Sequence, residues 1–262
     1  MKMHYVPART GLQWVKQGLR AFWRHPLSLT GMFFLFMFVA SLVAVLPIVG
    51  PLLISLLIPG VVAALMAAAR ESDAGNHPPP WLLVSPFRGR PERTKSLLAL
   101  GGLNVLATIG VIVLSALVFY ASNDHLDQLV NASNVTVETL QQLNLGQSLL
   151  TYSVLWAITT VLFSLAAALI YWHGTKAAES LFYSVLACWG NKGALAVFLL
   201  SWAVVFYVTA LALTLIGQLF GNQELWVGLM TLLAMLLTTA FFASVFFVFR
   251  DSFTTDDGQP PA

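Results

Sequence analysis

The chain is poor in charged residues and has a single cysteine. Only 9% of its 262 residues are charged and 58% are hydrophobic, which is more apolar surface than a water-soluble domain of this length can bury. Because Cys188 stands alone, an intrachain disulfide is excluded, and no second thiol is present to complete a redox or metal pair. These scarcities exclude a soluble globular protein and favour an integral membrane protein.

Ionisable residues are missing altogether from six long apolar runs. Each run has 19 to 25 residues and contains no Asp, Glu, Lys, Arg or His. At about 1.5 Å of rise per residue, a helix of that length crosses a hydrocarbon core of about 30 Å. We therefore predict an all-α, polytopic membrane bundle whose single transmembrane domain covers residues 27–249. The six predicted transmembrane helices are residues 27–46, 51–69, 97–120, 149–170, 193–216 and 225–249.

Positive charge falls on only one side of the predicted membrane. The seven segments that flank the spans contain, in chain order, 5, 0, 5, 0, 2, 0 and 1 Lys or Arg residues. Because short loops rich in Lys and Arg stay in the cytoplasm during insertion, both termini are expected to be cytoplasmic. The first run is longer than the roughly 7 to 15 apolar residues of a signal peptide, so we expect it to remain as an anchor.

Residues 1–26 are predicted to form an amphipathic helix on the cytoplasmic side of the membrane interface. Its apolar side chains share one arc of the helical wheel, and its basic side chains occupy the adjoining arc. The sequence leaves open whether the apolar face contacts lipid or the protein's own bundle. A second interfacial helix of the same design is predicted just before the fifth span. The apolar face of the first helix consists of Leu12, Val15, Leu19, Phe22 and Trp23.

The loop before the third span contains the second concentration of positive charge. It is rich in proline and ends in four basic residues close to the membrane, each of which adds about 1 kcal/mol of attraction to anionic headgroups. The alternative is that these charges only set the topology. Residues 250–262 are expected to form a disordered cytoplasmic tail. The predicted lipid or partner contacts of the whole chain are Lys16, Arg20, Arg24, Arg88, Arg90, Arg93 and Lys95.

Two features interrupt the uniformity of the spans. Pro59 is expected to bend the second span, because it removes a backbone donor and frees one carbonyl. Asn104 is the most polar residue within any span. It is expected either to join helices by hydrogen bonds or to lie, with Pro59, on the path of a solute. Gly102 and Gly110 are predicted to mark a close-packing face of the third span.

Several stretches resemble an uncharacterised family of six-span inner-membrane proteins known mostly from proteobacteria. They are Gly18-Leu19-Arg20-Ala21-Phe22-Trp23-Arg24-His25-Pro26, Ile170-Tyr171-Trp172-His173-Gly174 and Ala187-Cys188-Trp189-Gly190-Asn191. The resemblance covers nearly the whole chain and implies a multi-pass protein of the bacterial inner membrane with no established activity. The chain is also distantly similar to the membrane domain of some glycerophosphodiester phosphodiesterases. The catalytic domain of those enzymes, with its acidic metal ligands and paired histidines, has no counterpart in this sequence.

We expect a non-enzymatic protein with a scaffolding or regulatory role in envelope or lipid homeostasis. The expected partners are membrane lipids, anionic ones in particular, with a second copy or another membrane protein left open and nucleic acid excluded. The alternatives are a transporter or channel for a small neutral or lipidic solute and, less favoured, an intramembrane enzyme. No catalytic, cofactor-binding or metal site is predicted, because the spans contain no paired carboxylates, metal-ligand cluster or positioned nucleophile and base.

Overall fold

The computed structural model describes residues 2–47, 49–123, 145–220 and 223–254. Eight α-helices, one short 3-10 helix and a pair of two-residue strands make up most of these residues. The α-helices are α1 (Thr10–Arg24), α2 (Pro26–Ala44), α3 (Val49–Asp73), α4 (Pro91–Ala121), α5 (Leu145–His173), α6 (Ala177–Gly190), α7 (Lys192–Phe220) and α8 (Gln223–Ser252). The 3-10 helix is Pro80–Phe87, and the strands are β1 (Lys2–Met3) and β2 (Phe253–Thr254).

Six of the α-helices are long and apolar enough to cross a membrane, which confirms the predicted all-α membrane bundle. They are α2, α3, α4, α5, α7 and α8. Several begin or end beyond the predicted apolar runs. Helix α4, for example, begins at Pro91 rather than at residue 97. Its proline occupies the first helical position, where a missing N–H costs nothing, so the helix begins among polar residues before the apolar run.

Helix α1 packs on α3, α7 and α8 rather than lying on lipid alone. The side chain of Trp14 is fully buried, and Gly11 and Gly18 bring the backbone of α1 against α7 and α8. A Cβ on Gly18 would lie 2.1 Å from the Cβ of Ser244. Two residues of the predicted apolar face, Leu12 and Trp23, are instead 45% and 70% exposed. The buried face is rotated toward Gly11 and Gly18, whose lack of a side chain allows the helices to approach closely.

Packing is uneven along the spans. We call residues 59–69 of α3, 161–170 of α5 and 239–249 of α8 the terminal half; all are buried except Leu162 and Phe242, which are half-buried. We call residues 49–58, 145–160 and 226–238 of the same helices the distal half. Nearly every described residue of the distal half is exposed or half-buried. The bundle is therefore tightly packed over only part of its length.

Glycine contacts correct one prediction about the third span. A Cβ added to either of the predicted packing residues, Gly102 and Gly110, would meet no described atom of another helix within 4 Å. It is Gly101 that packs, because a Cβ there would lie 2.0 Å from the carbonyl oxygen of Leu56 on α3. The register of close contact thus differs by one residue from the prediction, since sequence does not tell which of two adjacent glycines faces the neighbouring helix.

Residues 2–3 and 253–254, the first and last residues that the structure describes, meet at one end of the bundle, which we call the terminal face. Strands β1 and β2 pair antiparallel, with Met3 opposite Phe253. The side chain of Asn191, between α6 and α7, accepts a hydrogen bond from the backbone of Val6 at 2.9 Å and donates one to His4 O at 3.0 Å. Residues 250–254, predicted to belong to a disordered tail, instead lie in α8 and β2, and Phe253 is fully buried. Residues 255–262 of that tail lie outside the described residues.

Candidate functional site

A cavity of about 310 Å³ lies at the boundary between the terminal and distal halves. It is bordered by α2, α3, α4, α5 and α8, and both Pro59 and Asn104 line it. Most of its lining is apolar, with phenylalanine side chains from α2, α5 and α8. Among the described residues that line it, none is Asp, Glu, Lys, Arg or His. The polar lining residues are Ser55, Asn104, Thr108, Thr159, Thr160, Ser164 and Thr238.

Pro59 and Asn104 are joined through one carbonyl group. In an α-helix the N–H of residue 59 would bond to the carbonyl of residue 55, and proline has no N–H to give. The Asn104 side chain on α4 replaces that donor, with its Nδ2 at 3.3 Å from Ser55 O. The carbonyl that Pro59 leaves free is therefore satisfied by a polar side chain of a neighbouring helix, as is usual in membrane bundles. Asn104 thus takes the helix-joining role and lines the cavity as well.

Most of the hydroxyl groups around the cavity already donate a hydrogen bond within their own helix. Thr108, Thr159, Ser164 and Thr238 each donate to the carbonyl four residues earlier in their own helix, at 2.6 to 2.8 Å. This is the usual way for Ser and Thr to satisfy their donors inside a helix. Their oxygen lone pairs remain as acceptors, so the polar part of the lining is rich in acceptors.

A polar network ties the helices together at the terminal face. Trp14 donates to an Asp251 carboxylate oxygen at 2.9 Å, and the other oxygen of that carboxylate accepts from Arg250 at 2.9 Å. Asp73 lies between two guanidinium groups, 3.5 Å from that of Arg24 and 3.8 Å from that of Arg250. These contacts connect α1, α3 and α8 at the terminal face.

Two of the predicted contact residues have structural partners. Arg24 donates to the backbone carbonyl of Asp73 in addition to its ion pair. Arg93 turns inward, donating to Ser85 O at 3.1 Å and to Arg88 O, and its guanidinium lies 5.1 Å from the ring centre of Tyr171. Arg93 therefore fixes the 3-10 helix on the bundle. Sequence could not distinguish it from its neighbours, because the Tyr171 ring that it contacts is on α5, far away in the chain.

Five other predicted contact residues are exposed at the terminal face. They make no side-chain hydrogen bond or ion pair with the residues that the structure describes. Three tryptophans on the same face, Trp23, Trp81 and Trp189, are 70%, 65% and 73% exposed. We call these cations and tryptophans the basic-aromatic surface. Its cations are Lys16, Arg20, Arg88, Arg90 and Lys95.

Two titratable groups near the terminal face have shifted pKa values. Partial burial lowers the pKa of His25, and the adjacent His77 ring and Arg24 guanidinium lower it further. Burial raises the pKa of the Cys188 thiol to about 12, against a smaller opposing effect of its hydrogen bond with Ser184. At neutral pH this thiol is protonated and a weak nucleophile. Over the described ranges, no group of three His, Cys, Asp or Glu side chains forms a potential metal site.

Comparison with known proteins identifies a relative over the full length of the chain. No family model and no solved structure matches this chain. A probable inner membrane protein of Burkholderia thailandensis is 30% identical over 262 residues, covering 100% of this chain and 97% of that protein. Together with the six apolar helices, this relative confirms the prediction of a multi-pass inner-membrane protein. The chain belongs to the same family as this probable inner membrane protein.

Proposed function

We propose that this protein is non-enzymatic and supports envelope or lipid homeostasis by holding anionic lipid against its terminal face. The observation that carries the proposal is the basic-aromatic surface, whose five cations are exposed and free of partners in the described part of the chain. Each such cation adds about 1 kcal/mol of attraction to an anionic leaflet. Exposed tryptophans are the side chains that favour the boundary between headgroups and hydrocarbon.

The proposal places the terminal face in the cytoplasm. The alternation of positive charge along the sequence supports this orientation. Single cysteines would be introduced into a Cys188→Ala background at Tyr5 on the terminal face and at Val45 between α2 and α3. A membrane-impermeant maleimide should label the cysteine at 45 in intact spheroplasts and the cysteine at 5 only after lysis. The reverse pattern would contradict the orientation.

From the resemblance of the sequence to the membrane domain of some glycerophosphodiester phosphodiesterases, we also infer a role close to phospholipids. The shared part is proposed to be a lipid-contacting membrane domain. The lack of ionisable groups among the described residues of the cavity lining supports a non-enzymatic role, since acid–base and metal-assisted chemistry both require such groups.

The lipid-contact proposal is tested by removing the five exposed charges together. The protein is reconstituted in nanodiscs with equal parts of phosphatidylglycerol and phosphatidylcholine, and retained lipids are identified by native mass spectrometry. The variant Lys16→Gln, Arg20→Gln, Arg88→Gln, Arg90→Gln, Lys95→Gln should lose its preference for phosphatidylglycerol by at least about fivefold.

A matched control exchanges Lys for Arg and Arg for Lys at the same five positions. Because it keeps every charge, it should retain the preference of the wild-type protein. Unchanged lipid retention in the Gln variant would rule out the proposed lipid contact.

The second candidate is a transporter or channel for a small neutral or lipidic solute, and the cavity that reaches both Pro59 and Asn104 favours it. Broken or bent helices next to a mid-membrane cavity are common at transporter binding sites. Proteoliposomes containing the wild-type protein should take up glycerol faster than those containing Ser55→Phe, which fills the cavity. Equal rates, matching protein-free liposomes, would exclude passage of a small neutral solute.

A further inference from the structure

We propose that the cavity is a binding site for a neutral, single-chain lipid whose head carries a hydroxyl group. The inference names a ligand class for the second candidate function and rests on it. Binding of a lipid in the cavity is a separate property from passage of a solute across the membrane, and a separate experiment measures it.

The lining excludes a charged head. None of the described residues around the cavity is ionisable, and an ion in such a low-dielectric site would lack a counter-charge. Phosphate, carboxylate and ammonium heads are therefore strongly disfavoured. Sterically, a cavity of about 310 Å³ is at the lower end of the range for ligand pockets, so it suits one chain rather than the two chains of a phospholipid.

The polar groups of the cavity are mainly hydrogen-bond acceptors, so the ligand should carry a hydrogen-bond donor. Asn104 is 7% exposed, and while its Nδ2 is bonded to Ser55 O, its Oδ1 accepts no hydrogen bond from the residues that the structure describes. Four neighbouring hydroxyls have given their protons to their own helices and offer only acceptors. A ligand hydroxyl can donate to Oδ1 or to one of these oxygens. It can also accept from one of the remaining lining donors, such as the indole of Trp156.

Access from the hydrocarbon region is consistent with a lipidic ligand. Met37 on α2 and Trp156 on α5 line the cavity and are also 37% and 47% exposed at the surface of the bundle. A chain can thus enter between lipid-facing side chains, whereas a water-soluble ligand would have to cross the lipid first. The apolar lining then covers the chain, and the acceptors around Asn104 hold the head.

The inference is tested by photolabelling with a long-chain alcohol that carries a mid-chain diazirine and a terminal alkyne. The matched probe is its methyl ether, which has the same chain but no donor. The purified protein in nanodiscs is irradiated with each probe and the labelled peptides are identified. The alcohol should label peptides of α3, α4 and α5 that border the cavity, about threefold to tenfold more strongly than the ether, the range expected for one hydrogen bond.

Two conservative variants test the acceptors without opening or filling the cavity. Thr159→Val and Thr238→Val each replace a hydroxyl by a methyl of similar size and should lower labelling by the alcohol but not by the ether. Thr231→Val is the control, because Thr231 makes the same bond to its own helix but does not line the cavity. Asn104→Leu should have the larger effect, and size-exclusion chromatography reports whether that variant still folds.

Three results would overturn the inference. Equal labelling by alcohol and ether would show that the head is not recognised. Undiminished labelling of the same peptides in Ser55→Phe would mean that the probe binds outside the cavity. If Thr231→Val lowered alcohol labelling as much as Thr159→Val and Thr238→Val do, the loss of labelling would be nonspecific. Specific alcohol binding without glycerol passage would support the binding site while excluding a small-solute channel.

Discussion

The terminal and distal halves of the same three helices differ in packing although both are apolar. In α3, six of the eleven residues in the terminal half are Gly or Ala, against one of the ten in the distal half. Lipid is as apolar as leucine, so hydrophobicity alone gives helices little reason to associate within a membrane. Close van der Waals packing between small residues supplies that reason. In α3, residue size rather than hydropathy therefore distinguishes the tightly packed half from the loosely packed half.

The cavity lies where the two halves meet. On the terminal side of Pro59, α3 is rich in alanine, is buried and packs against α1. On the distal side, most side chains of α3 are large and are half-buried or exposed. Pro59 and the hydrogen bond from Asn104 to Ser55 O are located at this transition. A closed end fixes the bundle, and the more loosely packed end leaves space for a ligand.

The largest expected effect on stability comes from removing the buried tryptophan by which α1 packs against the bundle. Trp14→Ala deletes a fully buried indole and its hydrogen bond to Asp251, so the free energy of unfolding should fall by about 3 to 5 kcal/mol. Trp23→Ala on the same helix removes an exposed indole and should cost less than about 1 kcal/mol. Unfolding in detergent, followed by circular dichroism, measures both. Similar losses in the two variants would mean that burial of α1 does not close the terminal half.

A smaller effect is expected at the contact between α3 and α4. Gly101→Ala would place a Cβ 2.0 Å from the carbonyl oxygen of Leu56, so the helices must move apart at a cost of about 1 to 3 kcal/mol. Gly102→Ala meets open space and should change the free energy of unfolding by less than about 1 kcal/mol. The same unfolding measurement separates the two variants. If the adjacent glycines proved equally sensitive, the contact register of α3 and α4 would be wrong.

A buried hydroxyl beneath α1 should contribute about 1 kcal/mol. Ser72 is fully buried and donates to Ala21 O at 2.6 Å, so Ser72→Ala removes a hydrogen bond between α3 and α1. The control Ser41→Ala removes an exposed hydroxyl bonded only within α2 and should have little effect. Loss of stability in the control alone would contradict the importance of packing at the terminal face.

The smallest expected effect is a dependence of stability on pH through His25. Ser72 gives its only proton to Ala21 O, so the Nδ1–H of His25 donates to the Ser72 hydroxyl at 3.1 Å. Because the pKa of His25 is lower in the folded protein than its usual 6.5, the unfolded chain binds more protons as the pH falls below that value. Stability from this residue should be complete above the usual pKa and decrease below it. His25→Asn should flatten that decrease in unfolding curves recorded between neutral pH and about pH 5, and an unchanged slope would exclude His25 as its source.

Much of the fold could be predicted from local composition. The length of the apolar runs predicted six spans, and Pro59 predicted a bend with one freed carbonyl. The partner of that carbonyl could not be predicted, because Asn104 lies 49 residues away from Ser55 in the chain. Arg93 could likewise not be distinguished from Arg88 and Arg90, because the Tyr171 ring that its guanidinium contacts is distant in the chain. Each is basic and close to the membrane, but only Arg93 finds acceptors and the Tyr171 ring among the described residues.

Taken by itself, the sequence determined that this is a six-span membrane protein with its positive charge at one end, because hydropathy and charge act residue by residue on insertion. Only the tertiary structure decided which face of α1 is buried, which glycine packs and that Pro59 and Asn104 share one carbonyl and one cavity. Those outcomes depend on how closely particular helices approach each other, and helix contact within lipid is governed by the fit of small residues from distant parts of the chain.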